Sequence, residues 1–123
     1  MQILKTRWFA RFARHEGLSE RSLREAIERA EQGLVDADLG GGLIKQRVAR
    51  QGQGRSGGYR TIIAFRVKNR AVFLYGFAKS EMENIDSNQF ATAHKLAEKW
   101  LVADAKQIAQ AIEEDELLEV KGD

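Results

Sequence analysis

The spacing of apolar residues predicts two helices in the first third of the chain, after a short strand at residues 2–5. Apolar residues recur every three or four positions, which is the spacing of one buried helical face. In the first helix Thr6 is the expected N-cap, and Trp8 and Phe12 lie four residues apart on one face, where we expect them in the core. A second predicted helix follows the cap residue Ser19 and ends at Gly33.

The middle of the chain has the pattern of β-strands. Residues 43–50 form a predicted strand with Lys45 and Arg47 on one face and Ile44, Gln46 and Val48 on the other. The glycine-rich residues 51–58 that follow are too few for a domain linker and predict a hairpin loop. Residues 59–67 and 71–77 have the pattern of an antiparallel hairpin around a short turn.

The remaining pattern completes an α+β domain. From a cap at Asp86 or Ser87, apolar residues recur at helical spacing almost to residue 112. Helices, then strands, then helices predict an α+β fold. We expect a small antiparallel sheet of three or four strands, covered on one face by the N-terminal helices and a C-terminal helix.

The amino-acid composition excludes several kinds of catalytic chemistry. The chain has 123 residues, 43% of them hydrophobic, which fits one soluble domain. Charges interrupt the first 15 residues, unlike a signal peptide, so we expect a cytoplasmic protein. It has no Cys and two His, His15 and His94, both of which we expect to be structural. Thiol chemistry is therefore excluded, and we expect no metal or other cofactor.

Charge is distributed in blocks. Residues 39–80 contain nine Lys or Arg and no Asp or Glu, whereas residues 81–123 contain four basic and eleven acidic residues. Nine cations on strands and loops favour a polyanion-binding face. The acidic end predicts a boundary after residue 105, with residues 106–123 as an acidic helical extension or tail.

Two of these cations are predicted to lie close together. Arg60 begins one arm of the predicted hairpin and Lys79 follows the other arm, and antiparallel geometry places these strand ends side by side. Neighbouring cations repel unless an anion lies between them, which favours a phosphate or carboxylate site.

Two motifs carry a resemblance to a known family. Residues 54–60 (GRSGGYR) and residues 74–81 (LYGFAKSE) resemble the RelE/ParE superfamily of bacterial toxins, and the pattern is most similar to its HigB/RelE-like branch. The resemblance implies a RelE-like fold over residues 1–105 and a toxin of a type II toxin–antitoxin pair. Such toxins cleave messenger RNA in the ribosomal A site, where a 2′-hydroxyl attacks the adjacent phosphate.

The resemblance also implies roles for individual residues. Arg60 matches the arginine that stabilises the transition state, and Lys79 matches a functional basic position. Lys45 matches a basic residue of the preceding strand, and Glu81 is a nearby carboxylate that can serve as a base. Which group transfers protons stays open, although an arginine cannot release one. The predicted RNA-binding residues are Arg47, Arg50, Arg55, Tyr59 and Arg66.

Two other functions remain open from the sequence. One is a ParE-like inhibitor of DNA gyrase, and the other is a nucleic-acid-binding module without catalytic activity. The nuclease interpretation implies a cognate antitoxin, of helix-turn-helix type, together with the ribosome and messenger RNA as partners.

Overall fold

A computed structural model describes residues 1–49, 58–78 and 86–121 of the chain. The elements in chain order are β1 (Gln2–Thr6), α1 (Arg7–Glu16), α2 (Glu20–Glu31), β2 (Ala37–Gly40), β3 (Leu43–Val48), β4 (Tyr59–Arg66), β5 (Arg70–Ala78), α3 (Ser87–Val102), α4 (Ala105–Glu113) and β6 (Leu117–Glu119). The α+β class predicted from sequence is confirmed.

The helices α1, α2 and α3 begin at predicted caps. The side chain of Thr6 accepts a hydrogen bond from the backbone N–H of Phe9, and Ser19 caps α2 in the same way. Asp86 caps α3 within a reciprocal capping box that includes Gln89. Each cap gives a partner to a backbone donor that the first helical turn leaves unpaired, which is why such residues mark helix starts.

The sheet is larger and more mixed than predicted. Six strands lie in the order β2-β3-β4-β5-β1-β6. β3, β4 and β5 form the predicted antiparallel core, but β1 pairs with β5 in parallel. The expectation of three or four antiparallel strands was wrong in number because the edge strands β2 and β6 have four and three residues, too few for a clear alternation.

Helices cover both faces of the sheet, not one face as predicted. One core cluster joins α1 and α2 to one face through residues such as Phe9, Leu23 and Ile63. A second joins α3 and α4 to the other face through residues such as Ala97 and Ile62. The central strand β4 shows why, since its residues from Thr61 to Phe65 are all buried, on alternating faces.

The acidic C-terminal segment is part of this domain. The predicted long helical region divides at Asp104, which caps α4. Ile108 is 1% exposed and Leu117 is fully buried, and β6 pairs with β1. Residues 105–120 therefore complete the sheet and its core, in contrast to the separate extension predicted for residues 106–123. Among the described residues, no helix has both the length and the apolar character needed to cross a membrane.

Candidate nucleic-acid interface

Three predicted site residues lie together on the sheet face that α3 partly covers. Arg47 of β3 stands directly opposite Arg60 of β4, which in turn stands opposite Phe77 of β5. Residues opposite each other in antiparallel strands point to the same face, with Cβ atoms about 5 Å apart. Lys45 is two residues from Arg47 and opposite Ile62, so it shares this face. Lys45, Arg47 and Arg60 are called the basic row below.

The guanidinium of Arg60 has an unmet hydrogen-bond donor. Arg60 is half-buried, and its Nη1 atom is buried without a hydrogen-bond partner among the described residues. A buried, unpaired donor on a charged group is costly, by about 1–3 kcal/mol or more. An anion bound between the basic residues would satisfy both the donor and the charge.

Arg47 is held by neighbouring elements. Its Nε donates to Oδ1 of Asp36 at 3.2 Å, and its backbone oxygen accepts from the guanidinium of Arg29. The buried Gln46 beside it donates to the backbone oxygens of Ala26 and Leu34. These bonds fix the end of β3 against α2, and with it the backbone that carries the basic row.

A cavity opens beside the basic row, between the first turns of α3 and the sheet. It encloses about 290 Å³. Its lining residues are Trp8, Ile62, Tyr75, Phe77, Asp86, Asn88, Gln89, Phe90, Thr92 and Ala93. Phe77 and Ile62 connect it to the basic row, since they stand opposite Arg60 and Lys45.

An irregularity in β5 directs Tyr75 into this region. Ile62 is paired with Tyr75 while Ile63 is paired with Phe73, so Leu74 is an extra residue in β5. Leu74 and Tyr75 consequently both pack in the cluster on the α3 face. Burial raises the pKa of the Tyr75 hydroxyl above its ordinary value of 10.0.

Sequence reasoning missed two aromatic residues of this cavity. Trp8 is 45% exposed, not part of the core as predicted, and Phe90 is 37% exposed. The buried stripe of α1 runs through Phe9 and Ala13, which places Trp8 on its flank. The four-residue spacing of Trp8 and Phe12 was the available signal, and it correctly indicated their contact, with stacked rings 5.6 Å apart.

Two of the predicted RNA-binding residues lie away from the basic row. Tyr59 is 5% exposed on the opposite face, where its hydroxyl donates to Glu16 at 2.6 Å. Arg66 lies six residues along β4 from Arg60, about 20 Å at the rise of a strand, and donates to the backbone oxygen of Leu101. Arg66 shares the α3 face but lies at its far end, and Tyr59 lies on the other face, so neither side chain belongs to the basic row.

The remaining predicted site residues lie outside the described residues. They are Arg50, Arg55, Lys79 and Glu81. Ala78, which precedes Lys79 in the chain, is paired with Tyr59, which precedes Arg60.

The two histidines lie on different helices, α1 and α3. His15 is exposed on α1, and His94 packs its ring against Phe90 with centroids 4.7 Å apart. Within the described parts of the chain, no group of three or more His, Asp or Glu side chains could hold a metal ion.

Comparison with known proteins identifies the family. The model of the RelE toxin of the RelE/RelB toxin–antitoxin system matches residues 1–120, including α4 and β6. No curated protein sequence matches the chain significantly. Because the family match spans nearly the whole chain, this protein belongs to the RelE toxin family and is the toxin of a toxin–antitoxin system.

Proposed function

We propose that this toxin is a ribosome-dependent endoribonuclease that cleaves messenger RNA and thereby stops translation. The observation that carries the proposal is the basic row, in which Nη1 of Arg60, buried and without a hydrogen-bond partner among the described residues, lies beside two further cations. Cations that bind no ligand are normally left facing water, whereas a phosphate would accept hydrogen bonds from Arg60 and Lys45, beside the Arg47 that Asp36 already holds.

In the proposed reaction, negative charge builds up at the phosphate, next to the cations of the basic row. The substrate 2′-oxygen forms a bond to the adjacent phosphorus while the bond from phosphorus to the 5′-oxygen breaks. The 2′-hydroxyl loses a proton, the 5′-oxygen gains one, and the products are a 2′,3′-cyclic phosphate and a 5′-hydroxyl. The phosphorane-like transition state carries more negative charge than the substrate, and a fixed guanidinium such as that of Arg60 stabilises it selectively.

The two proton transfers need groups other than arginine, which stays protonated in proteins. Lys45 lies in the basic row and makes no ion pair with a described residue, so it is a candidate. Lys79 and Glu81 are the other candidates, from their match to the family motif. The reaction as proposed uses no metal and no cofactor.

The proposed RNA-binding surface extends from the basic row along one end of the sheet. Arg47 would bind a neighbouring phosphate, and Arg50 and Arg55 follow it in the chain. Tyr59 and Arg66 are left out of this surface because one is buried on the other face and the other lies at the far end of β4.

The proposed partners follow from the same surface. The antitoxin, which we expect to be of helix-turn-helix type, would neutralise the toxin by covering or distorting the basic row. The ribosome and its messenger RNA are the proposed targets, in the cytoplasm.

The test is induction of the wild-type chain and of Arg60→Ala in growing bacteria, followed by mapping of messenger RNA 5′ ends. We expect growth arrest with new ends inside translated regions, absent for Arg60→Ala. Arg21→Ala is the matched control, because Arg21 is an exposed arginine on α2 that pairs with Glu25 at 3.5 Å. We expect this variant to cleave like wild type. Arrest without new ends would overturn the proposal and favour gyrase inhibition. Absence of arrest would favour a binding module.

A further inference from the structure

The cavity at the start of α3 is continuous with the basic row. Phe77 stands opposite Arg60 across β4 and β5, and Phe77 also lines the cavity. Ile62 connects them a second time, because it shares a face with Arg60 two residues away and forms part of the same wall. A group bound to Arg60 is therefore the direct neighbour of any group in the cavity.

Aromatic rings form much of the cavity wall and are held in place. Trp8 has Phe12 stacked on it at 12° between ring planes, and the ring of Tyr75 meets it edge-on at 5.3 Å. Phe77 packs against Tyr75 with centroids 6.4 Å apart. These contacts restrain the rings while leaving 45% of Trp8 exposed. Restrained, exposed aromatic rings are the platforms on which proteins stack nucleobases.

Among the described residues, the rim of the cavity is polar and carries no basic side chain. Asn88, Gln89 and Thr92 provide amide and hydroxyl groups, and Asp86 provides a carboxylate. A carboxylate repels phosphate, but it accepts hydrogen bonds from the amino groups of bases. The cationic end of the site therefore fits the phosphate of a nucleotide, and the aromatic end with its amide rim fits the base.

We infer that this cavity binds the base of a nucleotide next to the phosphate held by Arg60, and so influences where the RNA is cut. This inference rests on the proposed function, because the nucleotide is taken to belong to the RNA substrate. The volume of about 290 Å³ is at the lower limit of ligand pockets in proteins, about 300–1,000 Å³, which suits one base in preference to a larger ligand. An apolar side chain of an antitoxin is the other occupant that such a wall could accept.

Binding can be measured through Trp8 itself. The chain has two tryptophans, of which Trp8 lines the cavity and Trp100 is 5% exposed in the core. Stacking of a base on the exposed indole should quench its fluorescence. We expect saturable quenching by the four nucleoside 5′-monophosphates, none by ribose 5-phosphate, which lacks a base, and loss of the signal in Trp8→Phe.

Substitution of an aromatic residue of the cavity wall tests base stacking without changing any charge. Phe90→Ala keeps the reporter, and we expect it to weaken mononucleotide binding by about 5- to 150-fold, the range measured for removal of one base-stacking aromatic. Leu34→Ala is the matched control, since Leu34 is 59% exposed and is not part of the cavity. Equal quenching by ribose 5-phosphate, or unchanged affinity in Phe90→Ala, would overturn the inference.

Cleavage in cells distinguishes failure of the base site from failure of the nuclease. If the inference is correct, Phe90→Ala still cleaves messenger RNA but with altered preference for the nucleotides at the cut. Wild-type cleavage with an identical pattern in Phe90→Ala would overturn the base site and leave the nuclease standing. Base-dependent quenching without any cleavage would overturn the nuclease and leave a nucleotide site. If Phe90→Ala loses only antitoxin binding, the cavity is an antitoxin contact and the inference is wrong.

Discussion

Asp36 binds Arg47 through both of its carboxylate oxygens. Oδ2 accepts the backbone N–H of Arg47 at 2.6 Å, and Oδ1 accepts Nε of the same residue at 3.2 Å. The backbone N–H of Asp36 in turn donates to the buried side chain of Gln46. Asp36 therefore fixes both the strand end and the direction of the Arg47 side chain, while occupying one of its five N–H donors.

Removal of this carboxylate should loosen Arg47. We expect Asp36→Ala to lower the free energy of unfolding by about 1 kcal/mol, because the ion pair is partly exposed and water screens it. If Arg47 binds RNA as proposed, KM for RNA should rise while kcat changes little, since Arg60 remains in place. Urea denaturation and steady-state cleavage measure the two effects. The control is Glu28→Ala, which removes an exposed carboxylate of α2. An equal effect of the two substitutions would contradict the positioning role of Asp36.

Gly76 is required by the packing of α1 on the sheet. A Cβ added at Gly76 would lie 2.2 Å from Cε2 of Phe12, whose ring is enclosed by aromatic neighbours. We expect Gly76→Ala to lower the free energy of unfolding by about 2 kcal/mol through overpacking. Urea denaturation checks this value. In a Phe12→Leu background the same substitution should cost clearly less, and additive effects of the two changes would contradict this explanation.

The partly buried hydroxyl of Tyr75 should make stability fall at high pH. Burial raises its pKa in the folded state above the ordinary value of 10.0, so the folded chain holds this proton more tightly than the unfolded chain. The contribution is fully present below about pH 10 and is lost as pH rises through the folded pKa. Denaturation measured across this range should show a steeper alkaline loss for wild type than for Tyr75→Phe. Identical pH profiles would exclude Tyr75 as the cause.

The C-terminal segment should be essential for folding. Removal of residues 104–123 takes away α4 and β6, including Ile108 and Leu117, each of which contributes about 1.5–3 kcal/mol by burial. With the lost β-pairing, this approaches the whole stability of a small domain, about 5–15 kcal/mol. We expect no cooperative thermal transition by circular dichroism. A chain lacking only residues 122–123 should melt like wild type. A similar transition in the larger truncation would contradict the conclusion that α4 and β6 are needed for folding.

Part of the site was predictable from the sequence, because β3, β4 and β5 follow one another in the chain and are also neighbours in the sheet. Lys45 and Arg47 alternate with buried residues on one strand, and the antiparallel connection to β4 brings Arg60 beside them. Alternation places Lys45 and Arg47 on one face and Tyr59 on the face opposite to Arg60, but it could not indicate that this second face is buried. That side chain is buried because α1 and α2 cover its side of the sheet, a contact between segments distant in the chain.

Local chemistry therefore determined where the elements begin, which residues share a strand face, and the α+β class, because caps and periodicities act over a few residues. Tertiary structure alone decided the parallel pairing of β1 with β5, the helices on both faces, and the inclusion of α4 and β6 in the core. It also decided the cavity, in which Trp8 contacts Tyr75, a residue about half the chain length away in sequence. Such contacts depend on which buried surfaces fit together after the chain folds back, and short-range patterns carry no information about that fit.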